Sequence, residues 1–340
     1  MSVPPSTPAI ESVGFTTADA HRCAAFLCGR LGFQQEGRCT ILGGPYAELI
    51  GLAGAHLRLV RLRLGAERIE LTEVIDPGPH QRRGRPIAAE ARSCDLSFQH
   101  LCLVVSDLVV AHGAVAPLIA SGELRSISSA PQRLPSWNVA AAGIEAFKFR
   151  DPEGHALELL QFPPGKGDPR WQRPAADPDS PWLGIDHSAI AIGDSEVSQR
   201  FYVEGLGLRR GVEGLNSGVE QERLDGLAGA RVRIVPLRCR QGPGLEGLQY
   251  LEPSGGRPIP ADLGAQDLDH WQIRLVVDDL EAIRGRLISL ALLGDLPPST
   301  VVDLEGAGLG FRRALQLRDP DGHRIQLVQR SEAAAPAASP

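Results

Sequence analysis

The sequence predicts an α+β protein assembled from four βαβββ modules in two tandem halves. Two observations predict it: the chain repeats itself at a nearly fixed offset, and each half contains a smaller strand, helix and three-strand unit twice. Thr17-Ala18-Asp19 through Phe26 to Leu31-Gly32-Phe33 parallels Gly193-Asp194 through Phe201 to Leu206-Gly207-Leu208, 175 residues on. Gly84-Arg85-Pro86-Ile87 returns as Gly256-Arg257-Pro258-Ile259, and Leu103 to Leu108 as Leu275 to Leu280, both 172 residues on. Arg150-Asp151-Pro152-Glu153-Gly154-His155 returns as Arg318-Asp319-Pro320-Asp321-Gly322-His323 after 168.

In chain order, residues 1–9 are an N-terminal extension and modules one and two run over 10–76 and 95–163, making a first domain of 10–163. His100 to Val105 is an apolar strand, and the helix after Asp107 extends to about Ser121. Asp151-Pro152-Glu153-Gly154 is a hairpin turn, with proline early and glycine supplying positive φ. Residues 164–182 are rich in Pro, Gly and Asp without apolar periodicity, as a linker is. The second domain, 183–330, holds modules three and four at 183–252 and 267–330. Ile185 to Ile192 alternates as a strand does, Asp194 or Ser195 can cap the next helix, and Gly207 follows its end. Residues 331–340 end in Ala, Pro and Ser and are predicted to be a disordered tail.

Apolar residues make up 43% of the chain and charged residues 22%, which suits a folded globular protein. A net charge of −6 argues against nucleic acid or an anionic membrane as partner. Met1 to Glu11 lack a basic and an apolar region, so no export signal is expected and the predicted location is cytoplasmic. Six cysteines lack metal-site pairing and are expected to be reduced thiols.

Asp186-His187-Ser188-Ala189-Ile190-Ala191-Ile192, then Phe201-Tyr202 and Gly205-Leu206-Gly207-Leu208, together with the two Asp-Pro-[Glu/Asp]-Gly-His turns, resemble the vicinal-oxygen-chelate superfamily. Its members include glyoxalase I, methylmalonyl-CoA epimerase, extradiol dioxygenases and bleomycin-resistance proteins. The resemblance implies two cup-shaped, incompletely closed β-barrels of the glyoxalase/dioxygenase kind, with metal ligands on the first and fourth strand of each module.

Carried onto this chain, the first-strand positions are Ser12, His100, His187 and Gln272, and the fourth-strand positions are Glu70, Glu158, Glu246 and Gln326. Pairing modules within each half leaves two partly degraded sets. Pairing module two with three instead collects His100, Glu158, His187 and Glu246, and leaves Ser12, Glu70, Gln272 and Gln326 as a degenerate second site. One intact and one dead site is the more economical reading, so exchange between halves is expected. Two imidazoles and two carboxylates suit one divalent ion of Zn, Ni, Co, Fe or Mn. His155 and His323, recurring in equivalent turns, read as structural; His270 is open; Glu73 and Asp76 read as solvated turn residues.

The resemblance implies a metal-dependent isomerase, epimerase or lyase acting on a small oxygenated carbonyl substrate, with Glu158 or Glu246 as proton shuttle. An extradiol-type Fe(II) dioxygenase using His100, His187 and Glu158 is one alternative; a non-catalytic small-molecule binder is another. Candidate substrate contacts are Trp137, Lys148, Arg233 and Tyr250, with Asn138, Arg150 and Arg231 nearby in sequence. The expected partner is a small molecule, and the expected state a monomer or homodimer.

Overall fold

A computed structural model of the chain describes residues 7–79, 81–172, 180–293 and 298–330. Each module begins with an opening strand whose end is marked by an aspartate that caps the helix. Asp19 accepts from the amides of His21 and Arg22, Asp107 from Val110, Asp194 from Glu196 and Val197, and Asp279 from Glu281 and Ala282. Of the two caps the sequence offered at module three, Asp194 is the one used.

The modules pair across the halves. In one sheet the strand order is Arg209–Arg210, Arg231–Arg238, Gly244–Glu252, Trp182–Ala191, Gln99–Val105, Ala156–Gln161, Glu145–Arg150 and Arg125–Ser126, so module three lies beside module two. In the other, modules four and one meet through the opening strands Trp271–Val276 and Ala9–Thr16. Among the described residues neither sheet has its two end strands paired, so neither closes into a barrel. No helix among the described residues is long and apolar enough to cross a membrane.

Alternation along the strands separates a packed face from a cup face. Leu101, Leu103 and Val105 join Leu157, Leu159, Ile185, Ile190 and Leu245 in one core that also takes in Val13, Phe15 and Ile325 from the second sheet. His100, Cys102, Glu158 and Glu246, one step out of phase with these, face the cup.

The repeated Gly-Arg-Pro-Ile stretches lock the halves together reciprocally. The amide and guanidinium of Arg85 reach Asp267, while those of Arg257 reach Asp95, at 2.8 and 3.0 Å for the two amides. Gly84 lies against the Gln266 carbonyl and Gly256 against that of Cys94, so close that a side-chain carbon at either would collide with backbone.

Three expectations need correction or a boundary. Residues 164–182 are more than a spacer: Pro169–Gln172 form a helical turn that buries Trp171, and Trp182 already begins a strand. Glu73 sits within the strand Glu67–Asp76, paired with Arg58 at 2.7 Å and accepting from the Ala20 amide at 3.0 Å, because its alternation turns it toward the first helix; only Asp76 is exposed. The tail 331–340 lies outside the described residues, as do 1–6 and 173–179 of the extension and linker.

Candidate metal centre

Register places the candidate ligands identically in all four modules. Glu70, Glu158, Glu246 and Gln326 lie opposite Gly14, Cys102, Ala189 and Arg274 of their opening strands, each two residues beyond Ser12, His100, His187 and Gln272. Because two residues return a strand to the same face, each opening and closing position shares one cup.

In the sheet of modules two and three these positions converge. His100 Nε2 is 3.3 Å from Glu158 Oε2, and His187 Nε2 is 3.8 Å from that same oxygen and 3.5 Å from Glu246 Oε2. His100, Glu158 and His187 offer ligand atoms all within 4.8 Å of one another; Asp186, His187 and Glu246 form an overlapping second group. His100 is buried, yet neither of its ring nitrogens has a hydrogen-bond partner. An orphaned imidazole among carboxylates costs stability unless something occupies the space between them, and a divalent cation at this donor set satisfies it.

The surrounding charges act differently on each group. Burial, reinforced by the Lys148 ammonium, lowers the His100 pKa to about 4, which leaves its nitrogens free to ligate at neutral pH. Burial opposes charge on Glu158, but Lys148 and the two imidazoles outweigh it and hold the carboxyl well below its ordinary range. Burial likewise works against a charged His187, and Glu246 and Asp186 override it, raising its pKa.

The two glutamates stand on unequal footing. Glu158 faces Lys148 on the adjacent strand, whose Nζ is 3.9 Å from Glu158 Oε1 and 2.7 Å from Asp225 Oδ1. Asp225 also accepts from Gln221 at 2.7 Å and from the Tyr250 hydroxyl at 3.0 Å. Glu246 faces Pro236, which offers no charge, and its side chain is 18% exposed against 7% for Glu158.

A cavity of about 260 Å³ opens over these groups, walled by Leu134, Leu160, Leu224, Val232 and Leu248 and by the ligands themselves. Lys148 and Tyr250 line it. Trp137 and Arg233 do not: Trp137 is exposed, and Arg233 falls between the cavity-lining Val232 and Ile234, so alternation turns it to the opposite face, where it meets Ser195 at 3.1 Å. Of the neighbours, Asn138 donates to the cavity-lining Asn216 at 2.6 Å, buried Arg150 binds the carbonyls of Gly154 and Ala91, and Arg231 is exposed.

In the second sheet Ser12, Glu70, Gln272 and Gln326 are all buried, but a residue unforeseen from sequence fills the space. Arg274 is ion-paired with Glu70, donates to Gln326 Oε1 at 2.7 Å and to the Tyr46 hydroxyl at 3.1 Å, and is itself buried. Arg61 adds a 2.8 Å bond to Glu70. His155 and His323 make structural contacts, to the Thr16 carbonyl at 2.9 Å and the Ala191 carbonyl at 2.8 Å. His270 lies 3.3 Å from the Thr16 hydroxyl.

Two open sheets, each shared between tandem halves, with acidic and imidazole side chains lining one cup, invite comparison with known structures. Glyoxalase I from Zea mays superposes with a TM-score of 0.56 at 14% identity, over 95% of this chain and 92% of that one. A Bacillus subtilis protein proposed to be a dioxygenase gives 0.53 at 14% identity, over 96% and 86%. The fold is the one that these two proteins share. No protein-family model and no curated protein matches the sequence.

Proposed function

We propose that this chain is a vicinal-oxygen-chelate protein acting as a divalent-metal-dependent isomerase, epimerase or lyase on a small oxygenated carbonyl compound, with Glu246 as the group that moves the proton. The inequality of the two glutamates carries the reading. His100, Glu158, His187 and Glu246 would hold the ion, which when bound supplies Lewis acidity to vicinal oxygens of a substrate. Glu158 is pinned in its charged form by Lys148, so it serves as the permanent anionic ligand. Glu246 has a neutral proline opposite and partial exposure, and so is the carboxylate free to leave, take a proton and return it to the adjacent carbon. Lys148, Asp225 and Tyr250 form a polar end to a cavity with aliphatic walls, which would seat the carbonyl compound beside Glu246. At about 260 Å³ the cavity suits a compact substrate rather than a peptide conjugate.

A second reading has its own support: the closest triad, His100, His187 and Glu158, has the two-histidine, one-carboxylate composition of non-haem Fe(II) oxygenases. Purified protein loaded separately with Zn, Ni, Co, Mn and Fe(II) is incubated with small α-hydroxyketones and 2-hydroxyaldehydes in D₂O. Deuterium wash-in at the carbon beside the carbonyl, lost in Glu246→Gln, supports the first reading. Oxygen uptake with catechols by the Fe(II) form, with no wash-in, overturns it in favour of the second.

A further inference from the structure

We propose that the turn joining the two halves, Pro169–Gln172, is a positioning device for the ligand His187, acting through Trp171 and Asp186. The inference rests on the metal-centre reading above and concerns how this chain's own residues prepare it.

Adjacent residues of a regular strand point to opposite faces, so Asp186 should not be able to touch the ring of His187. It does, at 2.9 Å from Asp186 Oδ2 to His187 Nδ1. The reason is a register shift between Ile185 and His187 where this strand pairs with Gln99–Val105; it inserts Asp186 as an extra residue and brings both side chains to one side. The amide of Ile185, just beyond the end of the neighbouring strand Gly244–Glu252, is taken by Glu67 Oε2 at 3.1 Å. Glu67 belongs to the other sheet and is buried.

Behind the irregularity sits the turn. Trp171 Nε1 donates to Asp186 Oδ1 at 3.0 Å, leaving Oδ2 for the imidazole. Arg238 adds a guanidinium nitrogen 3.6 Å from Asp186 Oδ2. The indole is held in turn by Arg170, whose guanidinium lies 3.9 Å above the ring centroid and is ion-paired with Glu67. Gly184 completes the fit, since a side-chain carbon there would stand 2.8 Å from both the Trp171 ring and Glu67 Oε2.

The result is one tautomer in one orientation. With Nδ1–H donated to Asp186, the Nε2 lone pair of His187 faces Glu158 and Glu246. A carboxylate on the far nitrogen of a ligating histidine fixes its ring and raises its basicity, and losing such a partner costs about 10- to 100-fold in metal affinity. His100 has no such partner, so His187 is the ligand whose geometry is set from outside the cup.

The test measures Co²⁺ and Zn²⁺ affinity by chelator competition and records the visible absorption of the Co²⁺ form, for the full chain and for Asp186→Asn, Trp171→Phe and Gly184→Ala. Expected are a loss of about 10- to 100-fold in Asp186→Asn, a smaller loss in Trp171→Phe and Gly184→Ala, and an altered Co²⁺ spectrum in all three. Thermal melting of the metal-free proteins separates this from unfolding; if Trp171→Phe does not fold, Asp186→Asn carries the test. Tight binding by the unaltered chain with unchanged affinity and spectrum in Asp186→Asn overturns the device alone. No binding of either ion by the unaltered chain overturns the metal centre and the device together.

Discussion

Arg274 holds in the second sheet the register position that Cys102 holds in the first, each opposite the closing-strand residue of its cup. Where Cys102 leaves space, Arg274 delivers a guanidinium to Glu70 and Gln326, so the degenerate cup carries a built-in cation. Burial works against that charge, yet Glu70 and Tyr46 raise the guanidinium pKa further, and Glu70 stays ionised against its own burial because of Arg274.

Removing Arg274 therefore leaves the buried Glu70 with only the half-buried Arg61 beside it and takes the donor from Gln326 Oε1. Arg274→Ala is expected to cost about 3–5 kcal/mol in urea unfolding, the usual penalty for breaking a buried pair from one side. Metal content of the purified variant is expected to stay that of the unaltered protein, because the two cups lie in different sheets.

His100→Ala and His187→Ala, made separately, are each expected to lose most of the bound metal by elemental analysis, because both imidazoles lie within 4.8 Å of the same Glu158 carboxylate. Retention of full occupancy in either variant would remove that residue from the centre.

The glutamates are expected to part company. Glu158→Gln, which leaves Lys148 facing a neutral amide, should lower metal affinity; Glu246→Gln should keep much of the metal and lose about 10²- to 10⁴-fold in turnover. Equal effects of the two on affinity and turnover would contradict the assigned roles.

Acid sensitivity follows from two carboxylates remote from the ligands. Against the burial that would raise it, Arg257 brings Asp95 to about 2 from an ordinary 3.8, and Glu70 is lowered in the same sense. A depressed folded-state pKa gives stability that is present above the unfolded value and lost as pH falls through the folded one. Urea midpoints are thus expected to fall steadily below about pH 4, and Asp95→Asn to start lower and fall less steeply.

The reciprocal lock gives a steric prediction. Gly84→Ala and Gly256→Ala each drive a carbon into a carbonyl of the opposite half, and each is expected to destabilise by about 1–3 kcal/mol in thermal or urea unfolding.

Much of this was legible in the sequence because the duplication wrote it twice. The repeats located the modules, and strand alternation fixed which residues share a face, so Glu158 and His100 could be matched before any contact was known. The neighbours that set their chemistry were not legible. Asp186 follows the wrong parity until a register shift moves it, Trp171 sits in a stretch that reads as spacer, and Asp225 reaches Lys148 from 77 positions away. Arg274 could have been suspected from parity alone, being two residues past Gln272 on the same strand face. Arg233 shows the converse, since counting by twos from Val232 would have excluded it.

Each sheet draws one module from either half, and the Arg85–Asp267 and Arg257–Asp95 contacts are equivalents of one another with the halves exchanged. A polypeptide of half this length, meeting its twin in the same way, would have made two equivalent cups, neither able to change without the other. Fusion ends that obligation. Once both copies lie on one chain, one cup can be filled by an arginine, as Arg274 fills that of modules one and four, and become permanent scaffolding, while the other is free to differ.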